Sequence, residues 1–155
     1  MIRLADPASP ADLDGARDLF REYRDAVGGT LCFAGWEQEL AGLPGEYAPP
    51  GGRLLLARLG DGTLAGCGAL RRLAPGVAEL KRMWTRPAVR GQGVARAVAV
   101  ALLDAARAAG YRRVRLETLD GMEAAQALYR SLGFREVAPA PGEARPGVRL
   151  MDLDL

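Results

Sequence analysis

A mixed α/β fold is predicted, and three features of the sequence carry the prediction. Between residues 53 and 85, apolar runs broken by two tight turns read as three antiparallel strands. A helical pattern follows, with Val94, Val98, Ala101, Leu102 and Ala105 on one face. Another apolar run then begins at Val114, so this helix is a crossover and the strands on either side of it are expected to lie parallel.

The elements follow in order. Ile2 to Ala5 reads as a short first strand. Ser9-Pro10 supplies an N-cap with proline at the first helical position. Leu13, Ala16, Leu19, Phe20 and Tyr23 then keep helical spacing to about Val27, where Gly28-Gly29 ends the helix. Trp36, Leu40 and Ala41 suggest a shorter helix stopped by Gly42 and Pro44, and the proline- and glycine-rich stretch Pro44 to Gly52 reads as a loop. Leu54–Ala57 and Leu64–Leu70 form a hairpin around Gly60-Asp61-Gly62, and Pro75-Gly76 turns the chain into a strand from Val77 to Thr85. After the crossover helix and Gly110 come the strand at Val114–Glu117, a helix from about Met122 to Leu132, and strands near Phe134–Val137 and Val148–Leu155. The expected order is β-α-α-β-β-β-α-β-α-β-β. The 155 residues match one domain, 1–155, on a scale of about 100–200 residues per domain.

Composition excludes several chemistries. The chain has no histidine, so Ser-His and Cys-His pairs, imidazole bases and His-bearing zinc sites are ruled out. Two cysteines, Cys32 and Cys67, are too few for a thiolate zinc site and read as small buried residues; no metal is expected. A net charge of +2, with most arginines close to an acid, argues against nucleic-acid binding. The longest apolar run, Ala97–Leu103, is far short of the ~18–20 residues that span a bilayer, so no membrane partner is expected. The start, Met1-Ile2-Arg3-Leu4-Ala5-Asp6, has no leader pattern, and a cytoplasmic location is expected.

The turn Arg90-Gly91-Gln92-Gly93 opens the crossover helix. Free backbone amides and the positive end of the helix dipole point the same way there, and glycine lets an oxyanion reach the backbone. A Rossmann fingerprint fails because Arg96 stands where its third glycine belongs, and no P-loop string occurs. The competing reading is a simple loop that caps a helix.

Arg90-Gly91-Gln92-Gly93-Val94-Ala95 resembles the R-x-x-G-x-G/A signature of the GCN5-related N-acetyltransferase (GNAT) family. It follows the strand Glu79-Leu80-Lys81-Arg82-Met83-Trp84-Thr85 and a proline, as in that family, and Ala125 to Phe134 is similar to the family's A-x-x-L-Y-x-x-L-G-F segment. The E-L-K-R strand and the loop Leu43 to Pro50 look most like small bacterial members. The resemblance implies a GNAT-like sheet splayed between its fourth and fifth strands. It implies acetyl-CoA as donor and a primary amine, on a small molecule or a peptide, as acceptor. The amides of Gly91, Gln92, Gly93, Val94, Ala95 and Arg96, with Arg90 beside them, would hold the CoA pyrophosphate. Backbone groups of Met83, Trp84 and Thr85 would meet the pantetheine arm and stabilise the thioester oxygen, while the side chains of Met83 and Trp84 read as core.

By the same resemblance Tyr129 is the general acid, with packing beside Leu128 and Leu132 as the alternative. Two carboxylates compete as base. Glu79 stands four residues before Met83, on the same side if the strand is regular, and Glu117 lies on the next strand. Each alternatively pairs with Lys81 or an arginine, and water is the remaining base. Met122 departs from the asparagine many relatives carry seven residues before the tyrosine. On the acceptor side, Phe33, Trp36 and Tyr47 are candidate walls, and Glu37, Glu39 and Glu46 candidate attractors of a cation. Two functions compete with acetyl transfer: a non-catalytic CoA-binding module, and an unrelated anion- or nucleic-acid-binding protein. The chain is expected as a monomer or homodimer.

Overall fold

In the computed structural model, residues 1–28 and 33–155 are described. The elements are β1 (Ile2–Ala5), α1 (Pro10–Val27), α2 (Trp36–Ala41), β2 (Arg53–Leu59), β3 (Leu64–Ala74), β4 (Val77–Thr85), α3 (Val94–Ala108), β5 (Arg113–Leu119), α4 (Glu123–Ser131), β6 (Arg135–Val137) and β7 (Val148–Asp154). They build a seven-stranded mixed sheet in the order β1-β2-β3-β4-β5-β7-β6, and its parallel pair is β4–β5.

Local chemistry explains the boundaries. The Ser9 side chain accepts from the Asp12 amide and Pro10 opens α1, as the sequence indicates. β3 runs four residues further than expected, to Ala74, because Arg71 and Arg72 stay paired with Glu79 and Ala78 of β4. The Pro44–Gly52 stretch is less loop-like than its composition suggests: Gly45–Tyr47 form a 3-10 turn that inserts Tyr47 fully into the core.

The sheet is covered on both sides. Leu55, Leu70, Leu80, Val114 and Leu116 pack on one face with Val98 and Leu102 of α3 and Tyr129 of α4. Leu54, Leu56, Cys67 and Ala69 pack on the other with Leu19 and Phe20 of α1 and Trp36 and Leu40 of α2. Leu54, Leu55 and Leu56 therefore alternate between two cores, which is why β2 reads as an unbroken apolar run.

β4 is irregular at its centre. The step from Cys67 to Ala69 on β3 is matched by the step from Trp84 to Lys81 on β4, one residue longer, and Arg82 in this bulge has φ +59°. The bulge reverses the alternation. Leu80 and Met83 face the α3 core, whereas Lys81, Arg82 and Trp84 face α1 and α2. Glu79 and Met83 thus lie on opposite faces, correcting the regular-strand expectation.

Pairing of β4 with β5 runs from Val77↔Arg113 to Leu80↔Leu116 and stops, while β5 stays paired with β7 as far as Leu119. A fork opens at Lys81 on one arm and Glu117 on the other.

Beside the fork, a Cβ on Gly66 would lie 2.5 Å from the Trp84 carbonyl oxygen, so β3 reaches the fork strand only because this residue is glycine. Gly66→Ala is expected to lower stability by about 2 kcal/mol through overpacking against rigid backbone, read as a lower urea midpoint.

Candidate functional site at the fork of the sheet

The donor side is built by the segment leaving β4. After a 3-10 turn at Pro87–Val89, Gly91 (φ +82°) and Gly93 (φ +83°, the α3 N-cap) take a backbone conformation that side-chain-bearing residues rarely adopt. A Cβ on either glycine would meet nothing within 4 Å, so the space above the turn is open. No side chain caps α3, and the first-turn amides of Val94, Ala95 and Arg96 have no intrahelical acceptor. Gln92 is exposed, and the Val94 side chain is buried in the core, so only its amide faces a ligand.

Arg90 folds back. Its Nε donates to the Thr85 carbonyl at 3.2 Å, and its guanidinium lies 5.0 Å from the centre of the Trp84 ring. Arg96 bridges the two helices at the mouth, donating to Ser131 Oγ of α4 at 2.8 Å.

Along the fork, Met83 is half-buried against the α3 core, while Trp84 packs on the α1 side and donates its Nε1–H to Glu22 at 3.1 Å. Glu22 also holds Arg86 at 2.8 Å, tying α1 to the end of β4. Beyond Leu80 the edge of β4, including Met83, Trp84 and Thr85, has no β5 partner. As the sequence indicates, the side chains of Met83 and Trp84 pack.

Tyr129 of α4 packs in the core on the α3 face of the sheet. It is 7% exposed, with its ring edge-on to Phe134 at 5.7 Å. Burial, reinforced by the nearby Tyr23 phenol, pushes its pKa well above the ordinary value. Tyr23 on α1 is pushed up to about 12, mainly by burial and against the opposing pull of Arg82. Both phenols stay protonated at neutral pH. Sequence reading placed Tyr23 only on the buried face of α1; its edge-on contact with Trp84 of β4, 6.4 Å between ring centres, depends on tertiary packing.

Both candidate bases face α1 and α2, and both are ion-paired. Glu79, 5% exposed, accepts from Arg71 Nε at 2.8 Å, with Lys81 Nζ 4.0 Å away. Glu117 pairs with Arg145. Pairing with a nearby arginine, the alternative raised for each carboxylate, is the observed arrangement.

The acceptor side departs most from expectation. Glu39 is not a free attractor of cations: both its oxygens accept from Arg82 at 2.9 Å, and Tyr47 donates to it at 3.0 Å. Burial works to raise the Glu39 pKa, but the Arg82 hydrogen bonds and charge outweigh it and hold the carboxyl below its usual range. Tyr47 and Trp36 are core residues, while Phe33 is half-buried with the Arg82 guanidinium 4.8 Å from its ring centre. Glu37 is exposed, and Glu46 is exposed and pairs with Arg71 at 3.4 Å. Met122 accepts a long contact from Thr118 Oγ1 at 3.9 Å. Cys67 is buried and donates to the Arg82 carbonyl, with burial pushing its thiol pKa up; Cys32 lies outside the described residues. Among the described residues, no group of acids and cysteines is placed to hold a metal ion, and no helix is long and apolar enough to cross a membrane.

A mixed sheet forked between parallel strands, with an open glycine turn at the helix N-terminus beside the fork, defines an acyltransferase-type fold. The acetyltransferase (GNAT) family model matches residues 11–134, and the chain belongs to that family. It is 35% identical over 147 residues to an uncharacterised N-acetyltransferase of Schizosaccharomyces pombe, covering 94% of this chain and 90% of that one. It also resembles the structure of a GCN5-related N-acetyltransferase from Kribbella flavida, at 28% identity and a TM-score of 0.76, over 99% and 98% of the two chains. The fold is shared with a Thermoplasma acidophilum N-acetyltransferase solved in complex with coenzyme A, at 18% identity and a TM-score of 0.73 over 100% and 99% of the chains.

The Arg82–Glu39 pair leads to a stability prediction. Glu39→Ala removes the bidentate partner of a guanidinium only 3% exposed, and is expected to cost about 3 kcal/mol in urea unfolding at neutral pH. Because the folded pKa of Glu39 lies below the unfolded value of about 4.3, the pair's contribution holds above that pH and fades as pH falls through the folded value. The gap between wild type and variant should therefore narrow in acid.

Proposed function

We propose that the protein is an acetyl-CoA-dependent N-acetyltransferase that acts on a primary amine within a ternary complex, with residues 1–155 as one domain working in the cytoplasm. The observation that carries this reading is the open, uncapped turn at Gly91–Gly93 at the start of α3, with the buried, protonated Tyr129 packed on the same face of the sheet. The turn suits a pyrophosphate: the first-turn amides of α3 have no side-chain cap, the glycines leave room for oxyanions, and Arg96 adds positive charge at the rim.

Acetyl-CoA would supply the acetyl group and a thiol leaving group. The amides of Gly91 to Arg96 hold the pyrophosphate, and the unpaired edge of β4 from Met83 to Thr85 orients the pantetheine arm and donates to the thioester oxygen. Tyr129 gives its proton to the departing sulfur; its raised pKa keeps that proton in place up to and beyond the ordinary phenol value of about 10. Glu79 receives the amine proton through water, since it is buried on the face from which the amine enters and Arg71 fixes its position. Glu117, at the first unpaired position of the other arm and tied to Arg145, helps define the entrance.

Calorimetry with acetyl-CoA at fixed salt tests the donor site. Wild type should bind, and folded Gly93→Glu should not, because a carboxylate at the mouth repels the pyrophosphate. Failure of folded wild type to bind would contradict the reading. Tyr129→Phe should lower kcat by about 100-fold or more with little change in the KM for acetyl-CoA. If that variant turned over at the wild-type rate, the phenol would be a packing residue only.

A further inference from the structure

Lys81 is the only lysine in the chain, where every other side-chain cation is arginine. It is the first residue of β4 beyond the last β4–β5 pair, Leu80↔Leu116, and its cross-strand neighbour Ala69 places it on the α1–α2 face. It therefore stands where the fork opens, on the side from which an acceptor approaches.

The carboxylates that act on it are already matched. Glu79 is held by Arg71 at 2.7 Å, and Glu39 by Arg82 at 2.9 Å. The single carboxylate contact of Lys81 among the described residues is to Glu79 Oε1 at 4.0 Å, beyond hydrogen-bond range and to the same oxygen that Arg71 engages. The Lys81 side chain is nonetheless only 15% exposed. Burial lowers its pKa, and the positive charges of Arg82 and Arg71 lower it further against the pull of Glu79 and Glu39. A largely buried ammonium whose two carboxylate neighbours, Glu79 and Glu39, are both engaged by arginines is an incompletely compensated cation, and an anion brought beside it gains more than at the surface.

We propose that Lys81 selects the acceptor and that the acceptor is an amine carrying a carboxylate next to its nitrogen, of the amino-acid class. Lysine suits the role as a compact point charge with three donors: one reaches a ligand oxygen without being locked into a fork-to-fork pair, as the surrounding arginines are. In an α-amino acid one carbon separates the carboxylate from the amine, so an anion held on Lys81 keeps the nucleophile where β4 and β5 part. The Arg71–Glu79 pair then lies alongside, on the proton-accepting side. This assignment rests on the acetyl-transfer reading above.

The test measures thiol release from acetyl-CoA with free L-amino acids and with the α-carboxamide of each. Wild type should prefer the acids by about tenfold or more in kcat/KM. Lys81→Met, which keeps the aliphatic stem, should bring that ratio to within about threefold by raising the KM for the acids, and Lys81→Arg should restore much of it. Equal use of acids and carboxamides by wild type would overturn the proposal, as would an unchanged ratio in Lys81→Met. An equal collapse of kcat for both substrate series in that variant would also overturn it, making Lys81 a proton acceptor. A wild type that binds acetyl-CoA but releases no thiol with any amine contradicts acetyl transfer itself, and the acceptor assignment with it. Loss of the preference alone contradicts only the assignment.

Discussion

The site depends on the bulge at Arg82. A non-glycine residue at φ +59° costs about 1–3 kcal/mol, and contacts from α2, its flanking loop and β3 hold it there. Its guanidinium is clamped by both oxygens of Glu39, stacks 4.8 Å and 5.2 Å from the ring centres of Phe33 and Trp36, and its carbonyl accepts from Cys67. The α2 helix thus anchors an irregularity in a strand three elements away. Two consequences follow. The alternation of β4 reverses, sending Met83 toward α3 and Trp84 toward α1, and the pairing of β4 with β5 ends immediately before the bulge. The fork is a property of β4 rather than a gap left by its neighbours.

Charge on the α1–α2 face follows a consistent rule. Acidic side chains near the fork are each met by an arginine in a short, often bidentate pair, which fixes geometry more than it adds stability. Such pairs leave little free charge to attract a cationic ligand. Of Glu37, Glu39 and Glu46, which look like a cation-attracting set in sequence, Glu39 and Glu46 are engaged by arginines in this way, while Glu37 is exposed on α2.

Much of the architecture was legible because local signals agreed with one another. Ser9-Pro10 set the start of α1, Gly60-Asp61-Gly62 the β2–β3 turn, and the Val94–Ala105 periodicity the crossover that makes β4 and β5 parallel. The glycine turn at the start of α3 was legible too, since glycine spacing at a helix start reports backbone geometry directly. Three features were hidden for a common reason. The bulge at Arg82, the burial of Tyr47 and the contact of Tyr23 with Trp84 all arise from contacts between distant segments, and no local pattern encodes them. Glu79 illustrates the cost: an extra residue in the strand reverses which side chains share its face.

The central claim is that one ligand bridges the α3 turn and the open edge of β4. Residue-resolved amide hydrogen exchange, with and without saturating acetyl-CoA, tests it most directly. The account predicts added protection at the amides of Gly91 to Arg96 and along Met83 to Thr85, with little change on β1, β2 or β6. Protection confined to the turn, or appearing away from both segments, would contradict it.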